Sequence, residues 1–238
     1  MDYFWITLIV LIASLLKGIT GFGFALVSLP FLIFWYPAKE LIPVLVLCNL
    51  LASLLIVLQK KERRLVNAQF QLLIAAGGLF TFAGVLILSL ISENLLIRIM
   101  GVFFTVLSLL SLFGVKYQSK LTSWVAVFVG AFIGVLTGAI SVSGPPLALF
   151  LHSTKVDRAQ FREIFAWFSI VTALVAILAY AYTGLLSWQT LKLTGTFFPI
   201  LFIGSYCGKR FNKYVSAHLF QRFSLIITLV ASLVLLLR

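Results

Sequence analysis

The chain has 238 residues, 62% of them hydrophobic and only 10% charged. That composition excludes a soluble globule, whose surface is too large to be covered by so few polar residues, and makes lipid the solvent. The formal net charge of +12 does not point to nucleic acid. The basic residues sit in short loops between apolar runs, where they meet anionic headgroups as the positive-inside rule describes.

In chain order, the first apolar run is 3–16, followed by a glycine-rich break at 18–23 and a second run at 24–36. Asp2 and the lack of a small-x-small motif argue against a signal peptide here. Runs 41–58, 67–91 and 95–113 complete the first half. The second half repeats the plan: 122–137, a Gly/Ser/Pro break at 138–146, 147–153, then 164–183, 188–208 and 214–237. A spanning helix needs about 20 residues. Six runs meet that length, and the four that flank the breaks do not, so each short pair is expected to form a broken or re-entrant helical hairpin. Non-helical backbone at that depth is tolerated only inside protein or beside a water cavity.

The two halves share spaced features. Thr20-Gly21 parallels Thr137-Gly138, the Ser28–Phe34 stretch parallels 143–150, and Gly84, Ser92 and Arg98 parallel Gly208, Ser216 and Arg222. One transmembrane domain over 1–238 is expected, with repeat one at about 1–118 and repeat two at about 119–238. Charge orients it. Lys60, Lys61, Arg63 and Arg64 mark a cytoplasmic loop, and span counting places Lys116, Lys120, Lys155, Arg158, Arg162, Lys209, Arg210 and Lys213 on the same side. Ser92-Glu93 and 184–187 then face outward. Three spans per half invert the repeats. The expected fold class is an all-α polytopic membrane protein made of two inverted repeats, each a broken or re-entrant hairpin plus three transmembrane helices, a plan that secondary transporters use.

The chemistry sits at the breaks. Lys17, Gly18, Thr20, Gly21 and Gly23 precede a half-helix expected to start near Phe24. Flexible glycine backbone and a helix N-terminus together make an anion site. A lysine in a membrane run is either functional or snorkels to the interface. Thr137, Gly138, Ser141, Ser143, Gly144 and Pro145 form the second break, where Pro145 and Pro146 suit a helix start. The alternative there is close packing of small residues. Asn49, and more weakly Thr172, are helix–helix glue or ligands.

Other polar residues read as structural. His152 is interfacial rather than a proton relay, and His218 is solvated. Arg98 and Arg222 snorkel, and Asp157 and Glu163 join a solvated ion-pair cluster. Cys48 and Cys207 behave as small buried hydrophobes. No metal-ligand cluster and no phosphate-binding loop is present, so no metal or other cofactor is expected.

The segments KGITGFGFALVSLPFL and GVLTGAISVSGPPLALFL resemble the two signatures of the sulfite exporter TauE/SafE family, and the resemblance runs over essentially the whole chain. It implies a multi-pass permease of the bacterial inner membrane that moves sulfite, organosulfonates or related anions. The expected partners are a small anionic substrate and the bilayer, with a proton or sodium as coupling ion and a homodimer left open. Two other functions stay in view. One is an anion channel of the same architecture. The other is an intramembrane serine hydrolase at Ser143, which would need a base that neither His152 nor His218 is placed to supply.

Overall fold

Long apolar runs interrupted by glycine and proline give ten α-helices in the computed structural model, which describes residues 2–58, 67–113, 122–154, 156, 158–211 and 217–236. The first five are α1 (Asp2–Thr20), α2 (Phe24–Leu32), α3 (Ala38–Leu58), α4 (Ala68–Leu90) and α5 (Glu93–Leu112). The second five are α6 (Ser123–Ile140), α7 (Gly144–Ser153), α8 (Arg158–Tyr182), α9 (Trp188–Phe211) and α10 (Ala217–Leu236). No strand occurs among the described residues. In each set of five, a helix of 18 or 19 residues precedes one of 9 or 10, and three of at least 20 follow.

Among the described residues, five helices are long and apolar enough to cross a membrane: α1, α4, α5, α6 and the Glu163–Tyr182 part of α8. Large apolar side chains on them, such as Leu79, Leu90, Phe128 and Leu178, stay exposed, which is stable only in lipid. The chain is therefore an all-α, multi-pass membrane protein.

The short pairs need correcting. The first run does not stop at residue 16. Lys17, Gly18 and Thr20 are helical, and α1 reaches 19 residues, about 28 Å at 1.5 Å per residue. Thr137 and Gly138 likewise belong to α6. The breaks narrow to 21–23 and 141–143. Among the described helices, α2 and α7 alone are too short to span.

The chain forms two compact units. One comprises 1–45, 91–115 and 188–238, and the other 46–90 and 116–187. Each draws on both halves of the sequence. In the first unit α1 packs along α9. A Cβ added at Gly208 would meet the Leu15 carbonyl oxygen and come within 3.0 Å of the Gly18 Cα, while one at Gly204 would meet Ser14. The contacts advance together along both helices, so α1 and α9 run parallel. Ser205 Oγ donates to Ser14 O at 3.4 Å on the same seam.

The second unit repeats this with α4 and α6. Gly130, Gly134 and Gly138 sit against the carbonyl oxygens of Leu73, Gly77 and Thr81. Small residues at every fourth position let the two backbones touch, the usual way membrane helices associate without a hydrophobic driving force. The pair is again parallel. Gly77 also leaves room on another side for the ring of Phe168 from α8, which is fully buried.

In the first unit, α5 lies antiparallel to α10. Gly101 faces Leu236, and Thr105 Oγ1 is 2.9 Å from Ser232 Oγ. Glu93, at the start of α5, reaches another helix: its Oε1 accepts the N–H of Ala38, the first residue of α3. A carboxylate on a helix-start N–H that has no intrahelical acceptor is favoured by charge and by the helix dipole. Glu93→Ala is expected to cost about 0.5–2 kcal/mol, as loss of a helix cap does. It should be read as a lowered melting midpoint in detergent, and an unchanged midpoint would show the contact to be idle.

The loop 60–64 and residues Lys116, Lys120, Lys155, Asp157, Lys213 and Ser216 lie outside the described residues, as do the side chains of Arg158, Arg162, His218 and Arg222. Glu163 departs from expectation. Only 6% of it is exposed, because α8 continues through this position and turns it inward. It is not a solvated surface group.

Candidate functional site

The first break belongs to the first unit. Gly21 (φ 89°) and Gly23 (φ 95°) take left-handed backbone that side chains resist. Gly21 ends α1, its N–H donating to Lys17 O at 2.8 Å. Thr20 closes the turn: its Oγ1 lies 2.9 Å from Leu16 O and 2.7 Å from Phe22 O, and accepts the Phe22 N–H at 3.3 Å. The Thr20 hydroxyl is thus absorbed by the turn. Gly18 is a helix contact, not a turn residue, since a Cβ there would meet the Ser205 carbonyl oxygen.

At Gly23 the backbone enters α2, and no side chain caps it. The N–H groups of Phe24, Ala25 and Leu26 lie in the first helical turn, where no intrahelical acceptor exists. All three residues are buried. The Val27 N–H is the first to be used, by Gly23 O at 3.2 Å. Lys17 stands in the last turn of α1 and is 2% exposed. Enclosure to that degree is incompatible with snorkelling. Its charge also sits at the negative end of the α1 dipole, which stabilises it.

The second break belongs to the second unit. Here the left-handed residue is Ser141 (φ 58°), which ends α6 with its N–H on Thr137 O at 2.9 Å. Non-glycine residues rarely adopt this backbone. Thr137 Oγ1 donates to Ile133 O at 2.7 Å within α6, and Gly138 O accepts from the buried Tyr180 OH at 3.1 Å. Gly138 itself packs against Thr81. Ser143 begins α7 without a side-chain cap, and Gly144 and Pro145 are buried in its first turn. Ser141 is 2% exposed, and its Oγ has no hydrogen-bond partner.

Asn49 lies half-buried in mid-α3, in the second unit, and Thr172 bonds back to Phe168 O at 2.7 Å within α8. His152 is exposed and stacks on Phe161 with ring centroids 5.6 Å apart. No group of three or more His, Cys, Asp or Glu capable of holding a metal occurs among the described residues.

One feature of the first unit was not anticipated. An open cleft of about 480 Å³ is lined by Trp35, Tyr36, Glu93, Asn94 and Arg98, among others. Its elements are distant in sequence, and only the charged start of α5 signals it. Burial, with a smaller contribution from nearby Tyr3, raises the Tyr36 phenol above its ordinary 10.

Comparison with curated proteins and with solved structures returned no match. The family model described as Sulfite exporter TauE/SafE matches residues 6–235. That match takes in both breaks and all but the ends of the chain, and the protein therefore belongs to the TauE/SafE family of membrane transporters.

Proposed function

We propose that the protein is a secondary transporter that moves a small anion, such as sulfite, a sulfonate or a related anion, across the bacterial inner membrane by alternating access. The observation that carries this is the first break. The uncapped N–H groups of Phe24, Ala25 and Leu26 and the buried Lys17 lie around one glycine turn. Backbone N–H groups at a helix start recognise an oxyanion, and a buried cation offsets its charge. The antiparallel course of α5 and α10, the fifth helices of the two halves, supports inverted repeats, which allow one repeat to rock against the other. A serine hydrolase is not favoured, since His152 faces outward.

The test is uptake of labelled sulfite, sulfate and a small sulfonate by proteoliposomes of the purified chain, with and without a pH gradient. Saturable uptake with counterflow is the expected result. Flux that does not saturate would indicate a channel, and no flux of any of the three would remove the sulfur-anion assignment.

A further inference from the structure

The two breaks have matching positions and opposite chemistry. The first presents N–H donors. At the second, the residues that would supply donors to the first turn of α7 are Pro145 and Pro146, which have none. The Leu147 N–H is already taken by Ser143 O at 3.1 Å. Gly144 alone is left in that turn.

Oxygen atoms take their place. A helix leaves its last four carbonyls without intrahelical partners. In α6, Thr137 O is satisfied by the Ser141 N–H and Gly138 O by Tyr180. The carbonyls of Ala139 and Ile140 remain at the break. Ser141 adds a hydroxyl oxygen that is almost completely buried and unpartnered. A buried polar atom in that condition costs about 1–3 kcal/mol unless something binds it. Ser143, also buried, adds a second hydroxyl. As at the first break, where α1 ends and α2 begins, a helix C-terminus and a helix N-terminus meet here, so the dipoles largely offset at both and the local atoms decide. Beside the one Gly144 N–H of that turn stand the oxygens of Ala139, Ile140, Ser141 and Ser143.

We propose that the second break binds Na⁺, with Ser141 Oγ and the Ala139 and Ile140 carbonyls as ligands and the Ser143 hydroxyl completing the set. Hard cations take oxygen ligands. A set without a carboxylate suits a monovalent ion, and unwound carbonyls at half-helix C-termini hold Na⁺ in other transporter folds. The role of this ion as the coupling ion rests on the anion-transporter proposal, whereas the binding site does not. It reassigns Ser141 and Ser143 from the anion to the cation.

The test uses the purified full-length chain in detergent, melted in rising NaCl or choline chloride at constant ionic strength. The expected result is a saturable rise in midpoint with NaCl that choline chloride does not reproduce. Ser141→Gly keeps the left-handed backbone and removes the hydroxyl together with its methylene. It should weaken the apparent Na⁺ affinity about tenfold, equivalent to ~1.4 kcal/mol. Equal responses to the two salts, or wild-type Na⁺ affinity in Ser141→Gly, would overturn the site. In proteoliposomes, an imposed Na⁺ gradient should alter sulfite flux relative to a K⁺ gradient. Na⁺-specific stabilisation without flux of sulfite, sulfate or the sulfonate would leave the site standing and remove the sulfur-anion assignment. Anion flux without Na⁺-specific stabilisation would do the reverse.

Discussion

Gly134→Ala is expected to lower the melting midpoint by roughly 2–12 °C, from an overpacking cost of about 1–3 kcal/mol at about 2–4 °C per kcal/mol for a chain of this size. The added methyl has nowhere to go. It meets the Gly77 carbonyl oxygen and lies 2.9 Å from both the Gly77 Cα and its carbonyl carbon. These are backbone atoms of α4, so relief requires the whole helix to move. Gly130 and Gly138, one turn away on either side, are equally close to α4 and prevent a local tilt. Gly195→Ala is the control. It lies in α9 with nothing within 4 Å of the added atom, and a helical Gly→Ala change is worth about 1 kcal/mol in favour of folding. Opposite signs for these two substitutions, measured by thermal melting in the same detergent, would establish helix contact as the cause. A neutral Gly134→Ala would mean that the α4–α6 seam is looser than described.

The second large effect is on transport. Lys17→Met preserves length and removes the charge. Truncating one partner of a buried charge pair costs about 2–5 kcal/mol, which raises the KM for the anion by roughly 30-fold or more. The experiment is initial-rate sulfite uptake across a concentration series, with the melting midpoint recorded on the same sample. A raised KM at an unchanged midpoint places Lys17 against the substrate. An unchanged KM removes it from the site.

The amino-acid sequence announced the breaks themselves. Glycine at 21 and 23 and the Gly144-Pro145-Pro146 start of α7 are local signals, and α2 and α7 begin where those signals placed them. It did not announce that Gly18 and Gly138 are helical. A glycine that turns the chain and a glycine that admits another helix look alike until the partner is known, and both partners, Ser205 and Thr81, are far away in sequence. Thr20 and Thr137, read as ligands, are instead hydrogen-bonded within one turn of their own chain, because each hydroxyl rotates back onto a carbonyl of a helix that the apolar pattern ended too early. Ser141 carried no sequence sign of left-handed backbone. Glu163 was assigned to solvent by its charged neighbours, whereas its burial is a property of the face of α8 on which it lies.

The partnership of α1 with α9 has a consequence in time. Trp188, where α9 begins, is about 170 residues beyond Thr20, where α1 ends, and synthesis proceeds at about 5–20 residues per second. Once in the bilayer, α1 therefore waits roughly 10–30 s for the helix that shields its small-residue face. The unit built on α4 and α6 has all its segments by residue 187 and is the first that can close. During that interval α1 and its lysine must be lodged in lipid or held by the insertion machinery. A ribosome stalled far enough beyond residue 187 for α8 to leave the exit tunnel, with α9 still inside it, should accordingly yield one protease-resistant body and an α1 that chemical crosslinkers can still reach.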